Sequence, residues 1–307
     1  MMVDALRTWQ LRIRTVALVI AISLSALLVA LAIVGQPALA QNDPLARADA
    51  LNQEVIRLHQ EGRYAEAVPR AREALALRER VLGPSHPDVA ASLNNLAELL
   101  RNTGGYALAR PLYERALKID EQALGPDHPT LALRLNNLAE LLQDTGDYSG
   151  AKPLLERALR IKEQALGPTH PDLALSLNNL AALLHTTGDY VAARPLYEQA
   201  LRIFERAFGP THPSVATSLN NLADLLQATG DYAGAKFLHE RAIRINEQAL
   251  GPTHPNVATS LNNLASVLQD TGDYARARPL FERALRINEQ ALGPTHPNVA
   301  TSLNNLA

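Results

Sequence analysis

A single length, 42 residues, governs this chain. The pair His86-Pro87 returns at His128-Pro129, His170-Pro171, His212-Pro213, His254-Pro255 and His296-Pro297, each 42 residues on, with no insertion or deletion. Between successive pairs the same words come in the same order: LNNLA (93–97), G-x-Y (104–106), an ERAL-like run (114–117), then LGP. Self-similarity at one fixed period dictates a stack in which each unit buries its apolar face only against its neighbours. The stack replaces the count of globular domains that 307 residues would otherwise suggest.

Within the unit 90–131, Leu93, Leu96, Ala97 and Leu100 fall at helical spacings of three and four and form an apolar stripe. Asn102-Thr103-Gly104-Gly105 breaks that helix, since glycine can take the positive φ a reversal needs. A second helix follows, with Tyr106, Ala109, Leu112, Tyr113, Ala116 and Leu117 on its inner face, until Gly125-Pro126 stops it after Leu124. Aromatic residues make up only 4% of the chain, so leucine and alanine must carry the packing. Ala97, Ala109 and Ala116, with counterparts in each later unit, are the short side chains that let two antiparallel helices approach. Pro87 suits the opening turn of the first helix. Ser85 with Asp88, and Thr169 with Asp172, have capping-box spacing with Asp in place of Glu. Pro111, Pro153, Pro195 and Pro279 predict a late or slightly bent start to the second helix, with Phe237 replacing the proline in one unit.

The same residues exclude several chemistries. A net charge of -2 with no Lys/Arg cluster gives no nucleic-acid surface. Without cysteine there is neither disulfide nor thiolate chemistry. No nucleophile elbow, zinc-binding H-E-x-x-H or phosphate loop occurs, so the chain is read as no enzyme and is assigned no cofactor. Residues 246–265 and 288–307 are identical, and units so alike supply a repeated surface rather than distinct catalytic roles. The six His-Pro histidines sit in loops roughly 10 Å apart by helix-layer spacing, too far to share one ion at bonds of about 2 Å. Linker packing or capping is the reading for them, with no metal site. His59, His185 and His239 stand alone, outside any motif.

The N-terminus differs in kind. Residues 16–34 carry no charge and follow Arg7, Arg12 and Arg14, while Ala38 and Ala40 have the A-x-A form of a cleavage site. A cleaved signal peptide and an uncleaved transmembrane anchor are both open readings, with a buried helix of a soluble domain as a third. Both leading readings put the repeats on the non-cytoplasmic side, periplasmic or extracellular. The expected organisation is therefore a signal or hydrophobic membrane helix at 1–40, a linker at 41–47, and repeats over 48–307. The units are about 48–89, 90–131, 132–173, 174–215, 216–257 and 258–299, with a partial unit at 300–307.

Leu93, Leu96, Ala97, Leu100, Gly104, Tyr106, Ala109, Tyr113 and Ala116 resemble the tetratricopeptide repeat (TPR). The 42-residue length, LNNLA word and His-Pro linker resemble the variety found in kinesin light chains and their prokaryotic relatives. The first unit departs from the pattern, with Glu54 where Leu is usual and Gln53 for the second Asn. The resemblance implies an all-α superhelical solenoid whose first helices line a concave groove for an extended peptide or partner protein. Its groove positions fall at Asn94, Glu98 and Arg101; Asn136, Glu140 and Gln143; Asn178, Ala182 and His185; Asn220, Asp224 and Gln227; and Asn262, Ser266 and Gln269. The neighbouring Asn95, Asn137, Asn179, Asn221 and Asn263 are structural or a secondary groove set, since an amide can serve a ligand backbone or bridge two units. Arg101 is the one basic residue on that face, which disfavours an acidic tail and favours a neutral or mildly basic segment. The expected function is a non-catalytic interaction scaffold. Self-association through the C-terminal end, and a regulatory arm of a larger, truncated enzyme or sensor, are the alternatives.

Overall fold

The computed structural model describes residues 43–294 and 296–306. The apolar stretch at 16–34, and with it the signal peptide or N-terminal hydrophobic helix expected at 1–40, lies outside the described residues. The described residues form thirteen helices and fall into two compact units that divide between Ile119 and Asp120. The first unit holds α1 (Pro44–Gln60), α2 (Tyr64–Leu82), α3 (Pro87–Asn102) and most of α4 (Tyr106–Leu124). The second holds the end of α4, then α5 (Pro129–Asp144), α6 (Tyr148–Leu166), α7 (Pro171–Thr186), α8 (Tyr190–Phe208), α9 (Pro213–Ala228), α10 (Tyr232–Leu250), α11 (Pro255–Asp270), α12 (Tyr274–Leu292) and α13 (Pro297–Leu306). Each unit is an all-α, TPR-like solenoid of antiparallel hairpins, with odd-numbered first helices and even-numbered second helices. The alanines at the hairpin crossings, such as Ala139, Ala151 and Ala158, are sealed from solvent.

Among the described residues no helix is long and apolar enough to cross a membrane. For the described residues this corrects the expectation of a transmembrane helix, of membrane attachment and of a membrane-anchored location, since none of their helices supplies an anchor. The longest described helices have 19 residues, and charge recurs along them: α6 carries Lys152, Glu156, Arg157, Arg160, Lys162 and Glu163. A span needs about 20 predominantly apolar residues.

The helix starts differ from the capping box read in the sequence. The N-cap of α3 is His86, whose Nδ1 accepts from the Asp88 amide at 3.1 Å, with Pro87 at the first helical position. His128, His170, His212, His254 and His296 do the same, at 3.1–3.3 Å. The repeated imidazole thus does the work of an N-cap carboxylate or hydroxyl, satisfying one orphan amide. Second helices from α6 onward are capped by Asp147, Asp189, Asp231 and Asp273, after a glycine such as Gly146 at φ +78°. The α1 helix begins at Pro44 behind the Asp43 cap, inside the stretch read as a linker. Second helices run unbroken through their prolines rather than starting late: α4 already begins at Tyr106. The donor Pro111 lacks would have gone to the Ala107 carbonyl in the exposed first turn, where water can replace it. Tyr106, expected inside, and its counterpart Tyr148 lie at this same start and are partly exposed.

Two ladders tie successive hairpins together. On the second helices Arg115 pairs with Glu79 (2.6 Å) in the first unit. In the second unit Arg157 pairs with Glu121, Arg241 with Glu205 (2.6 Å) and Arg283 with Glu247 (2.6 Å). Gln199 occupies the corresponding place on α8, so no such pair can form to Glu163. The other ladder runs at varying depth and changes chemistry at each step. Arg78 donates to Ser92 Oγ (2.7 Å), and Asp120 and Arg134 make an ion pair (2.9 Å) shut off from solvent. Lys162 donates to the Asp172 carbonyl (3.3 Å), and Phe204 is wholly apolar. Asn246 and Asn288 donate to Ser260 (3.2 Å) and Ser302 (3.1 Å).

Candidate functional site

The two asparagines of each LNNLA word are separated by the helix itself. Adjacent residues lie about 100° apart around the axis, so only one can share a face with the core. The first falls inside: Asn94, Asn136, Asn178 and Asn220 are buried, and Asn262 is partly so. The amides of the last three bridge to the next hairpin, Asn178 to Ser218 Oγ (3.2 Å), Asn220 to Ser260 Oγ (2.9 Å) and Asn262 to Ser302 Oγ (3.4 Å). Asn95, Asn137, Asn179, Asn221 and Asn263 are half-buried on the open face. There Asn95 donates to Asn52 (3.3 Å) and Asn263 to Asp224 (3.3 Å).

The remaining face residues form a polar, mostly uncharged stripe. Glu98 meets His59 Nε2 at 3.3 Å, while Arg101 and Glu140 are half-buried. Gln143 donates to the Ala139 carbonyl at 3.4 Å. Ala182 is exposed, and half-buried His185 packs edge-on against Tyr190, burial holding its pKa below the ordinary value. Gln227 bridges to Ser266 (3.2 Å) and Asp270 (2.7 Å), and Gln269 is exposed.

One functional-looking residue escaped the sequence reading. His239 is 0% exposed, in the core position that Tyr113, Leu155, Tyr197 and Phe281 fill elsewhere. Its only available signal was that misfit, a polar side chain in an apolar register. Nδ1 lies 2.9 Å from Asn220 Oδ1. Because Asn220 spends its Nδ2 on Ser260, its oxygen must accept, and His239 therefore carries its proton on Nδ1. Nε2 then faces Asp224 Oδ1 at 3.4 Å, within ion-pair range but without a hydrogen bond. Burial pushes His239 down to about 4 and Asp224 up to about 6. The pair is thus held toward neutral imidazole with a readily protonated carboxyl. The ring nitrogens face Asn220 and Asp224 rather than a hydroxyl nucleophile, so this is a structural node. Among the described residues no His/Cys/Asp/Glu cluster could hold a metal ion.

A family model described as tetratricopeptide repeat matches residues 47–122, 89–164, 132–206, 172–248, 226–290 and 256–307. The chain belongs to the tetratricopeptide repeat family. As a TPR protein it is a non-catalytic scaffold for protein–protein contacts. Similar solved structures include BtubC (BKLC) from P. vanneervenii, 27% identical with TM-score 0.60, covering 81% of this chain and 94% of that one. A putative kinesin light chain with nearly identical TPR-like repeats from Podosopora anserina is 28% identical with TM-score 0.58, covering 67% of this chain and 98% of that one. PilW, a type IV pilus biogenesis factor, is 17% identical with TM-score 0.56 over 83% of this chain and 98% of that one, a likeness of fold alone. No curated protein matches the chain.

Proposed function

We propose that this TPR scaffold binds extended segments of a partner protein on the open face of the first helices within each unit, chiefly through the second asparagine of each word. The observation that carries this reading is the alternation at LNNLA, where one amide is turned inside and its neighbour stands on the open face. Asn95, Asn137, Asn179, Asn221 and Asn263 recur at one register, and each amide can both donate to and accept from a peptide main chain. Sequence neighbours such as Glu98, Asp224 and Gln227 tune individual positions. In this reading the buried Asn178 and Asn220 serve instead to join hairpins through Ser218 and Ser260.

A displayed library of random linear peptides panned on the full chain tests this reading. Enriched peptides should lose binding to a variant with Asn95, Asn137, Asn179, Asn221 and Asn263 changed to Ala, with helical circular dichroism unchanged. Peptides that bind the five-fold variant equally well would move the site off this face.

A further inference from the structure

The open stripe is not uniform along the second unit. On α5 it holds Leu133, Asn137 and Glu140, and on α7 Leu175, Asn179 and Ala182. Leu133 is 53% exposed and Leu175 50%. In the next three first helices the same position is Thr217, Thr259 and Thr301. Two large aliphatic side chains thus stand in water on successive hairpins, one repeat apart, and the leucines stop where the threonines begin.

Their spacing selects a ligand conformation. Packed helix layers repeat at roughly 10 Å. A β-strand puts side chains on one face every second residue, about 6.6 Å apart, which does not match. A polyproline II helix has three residues per turn and a rise of about 3.1 Å, so residues i and i+3 share a face about 9.3 Å apart. Its backbone makes no internal hydrogen bonds and leaves its carbonyls open to a side-chain amide such as that of Asn179. Neither stripe carries a Lys or Arg, and Glu140 lies on the α5 stripe, so an acidic segment is disfavoured.

Resting on the groove reading above, we infer that α5 and α7 form a subsite for a polyproline II segment, neutral or basic in its flanks, with aliphatic side chains at i and i+3 seated against Leu133 and Leu175. The threonine-bearing helices that follow take the polar continuation of the same segment.

The test uses the full chain and fluorescein-labelled proline-rich peptides with leucines at i and i+3 or at i and i+2, read by anisotropy. The i,i+3 peptide should bind about ten-fold more tightly, as expected for sheltering two half-exposed leucines. That preference should vanish in Leu133→Thr/Leu175→Thr, which installs the residues of the later hairpins at solvent-facing positions. Equal affinity for both spacings, a preference that survives the double variant, or no binding of either peptide would overturn the subsite. The five-fold asparagine variant separates the two readings. If it loses peptides that the wild type binds without regard to spacing, the groove stands and the subsite falls; if it loses none, both fall.

Discussion

The hairpins α9–α10 and α11–α12 are close copies with different centres. In the second, Phe281 fills the core beside Ala265 and Leu268, with Ser266 on the open face and Pro279 on the second helix. In the first, the same three places hold His239, Asp224 and Phe237, and the core is a polar chain from Ser260 through Asn220 and His239 to Asp224. Both hairpins keep the same backbone and caps. The repeat architecture therefore tolerates a buried imidazole where the adjoining first helix supplies an acceptor and a carboxyl. It follows that identity of pattern does not mean identity of local stability.

Substitutions that swap the two centres test this, and hydrogen exchange is the right readout because a repeat array opens locally. Phe281→His should have the largest effect, lowering local stability of α11–α12 by about 4 kcal/mol, because it loses aromatic burial and gains an imidazole with Ser266 in place of a carboxyl. Unchanged exchange in that hairpin would show that the Asp224 contact is dispensable.

His239→Phe should act mainly through pH. The folded-state pKa of about 4 lies below the ordinary 6.5, so the stability that neutral His239 permits at pH 7 is lost as pH falls from 6.5 towards 4, by about 3 kcal/mol in all. Asp224 works in the opposite sense: raised to about 6 from 3.8, its contribution is greatest in acid and fades as pH rises through 6. The variant removes the loss and keeps the gain, so its urea midpoint should rise relative to wild type between pH 7 and pH 4.5. Parallel pH profiles would contradict the buried neutral imidazole.

The same change in the two copies should give unequal costs. Asn220→Ala strands the His239 Nδ1–H as well as removing the bridge to Ser260 and should cost about 2 kcal/mol, whereas Asn262→Ala removes one amide bridge to Ser302 and should cost about 1 kcal/mol. Equal costs would mean that His239 finds another partner. Phe237→Pro should matter least, within about 0.5 kcal/mol by thermal melt, because the ring is 61% exposed and three sibling helices of the same unit carry proline there.

The hairpins were legible because their signals are local: leucines and alanines at helical spacing, glycine at each reversal, and His-Pro at each start. The inward asparagine was legible too, though it takes phase rather than composition to see it. Asn94 lies four residues after Ala90 and three before Ala97, both sealed, whereas Asn95 follows Ala91 by four and precedes Glu98 by three. The groove set implied by the resemblance includes Asn94, Asn136, Asn178 and Asn220, whose side chains are buried. The histidine caps were harder to read, because imidazole is not among the usual N-cap groups and only its lone pair, aimed at the amide two residues on, qualifies it. His239 could have been noticed as a polar residue in an aromatic register, but its partners Asn220 and Asp224 come from another helix. Pairing across helices depends on packing that spacing does not encode.

The missing rung at Gln199 has a mechanical meaning. Repeats joined one after another carry a stretching load in series, so the joint that yields first sets the force the array withstands. Between α6 and α8 Gln199 stands where the other joints have their arginine, and beneath them, among the described residues, the Ser176 hydroxyl is without a hydrogen-bond partner. Drawn out from its two ends, the second unit should part there before it parts at the riveted joints on either side.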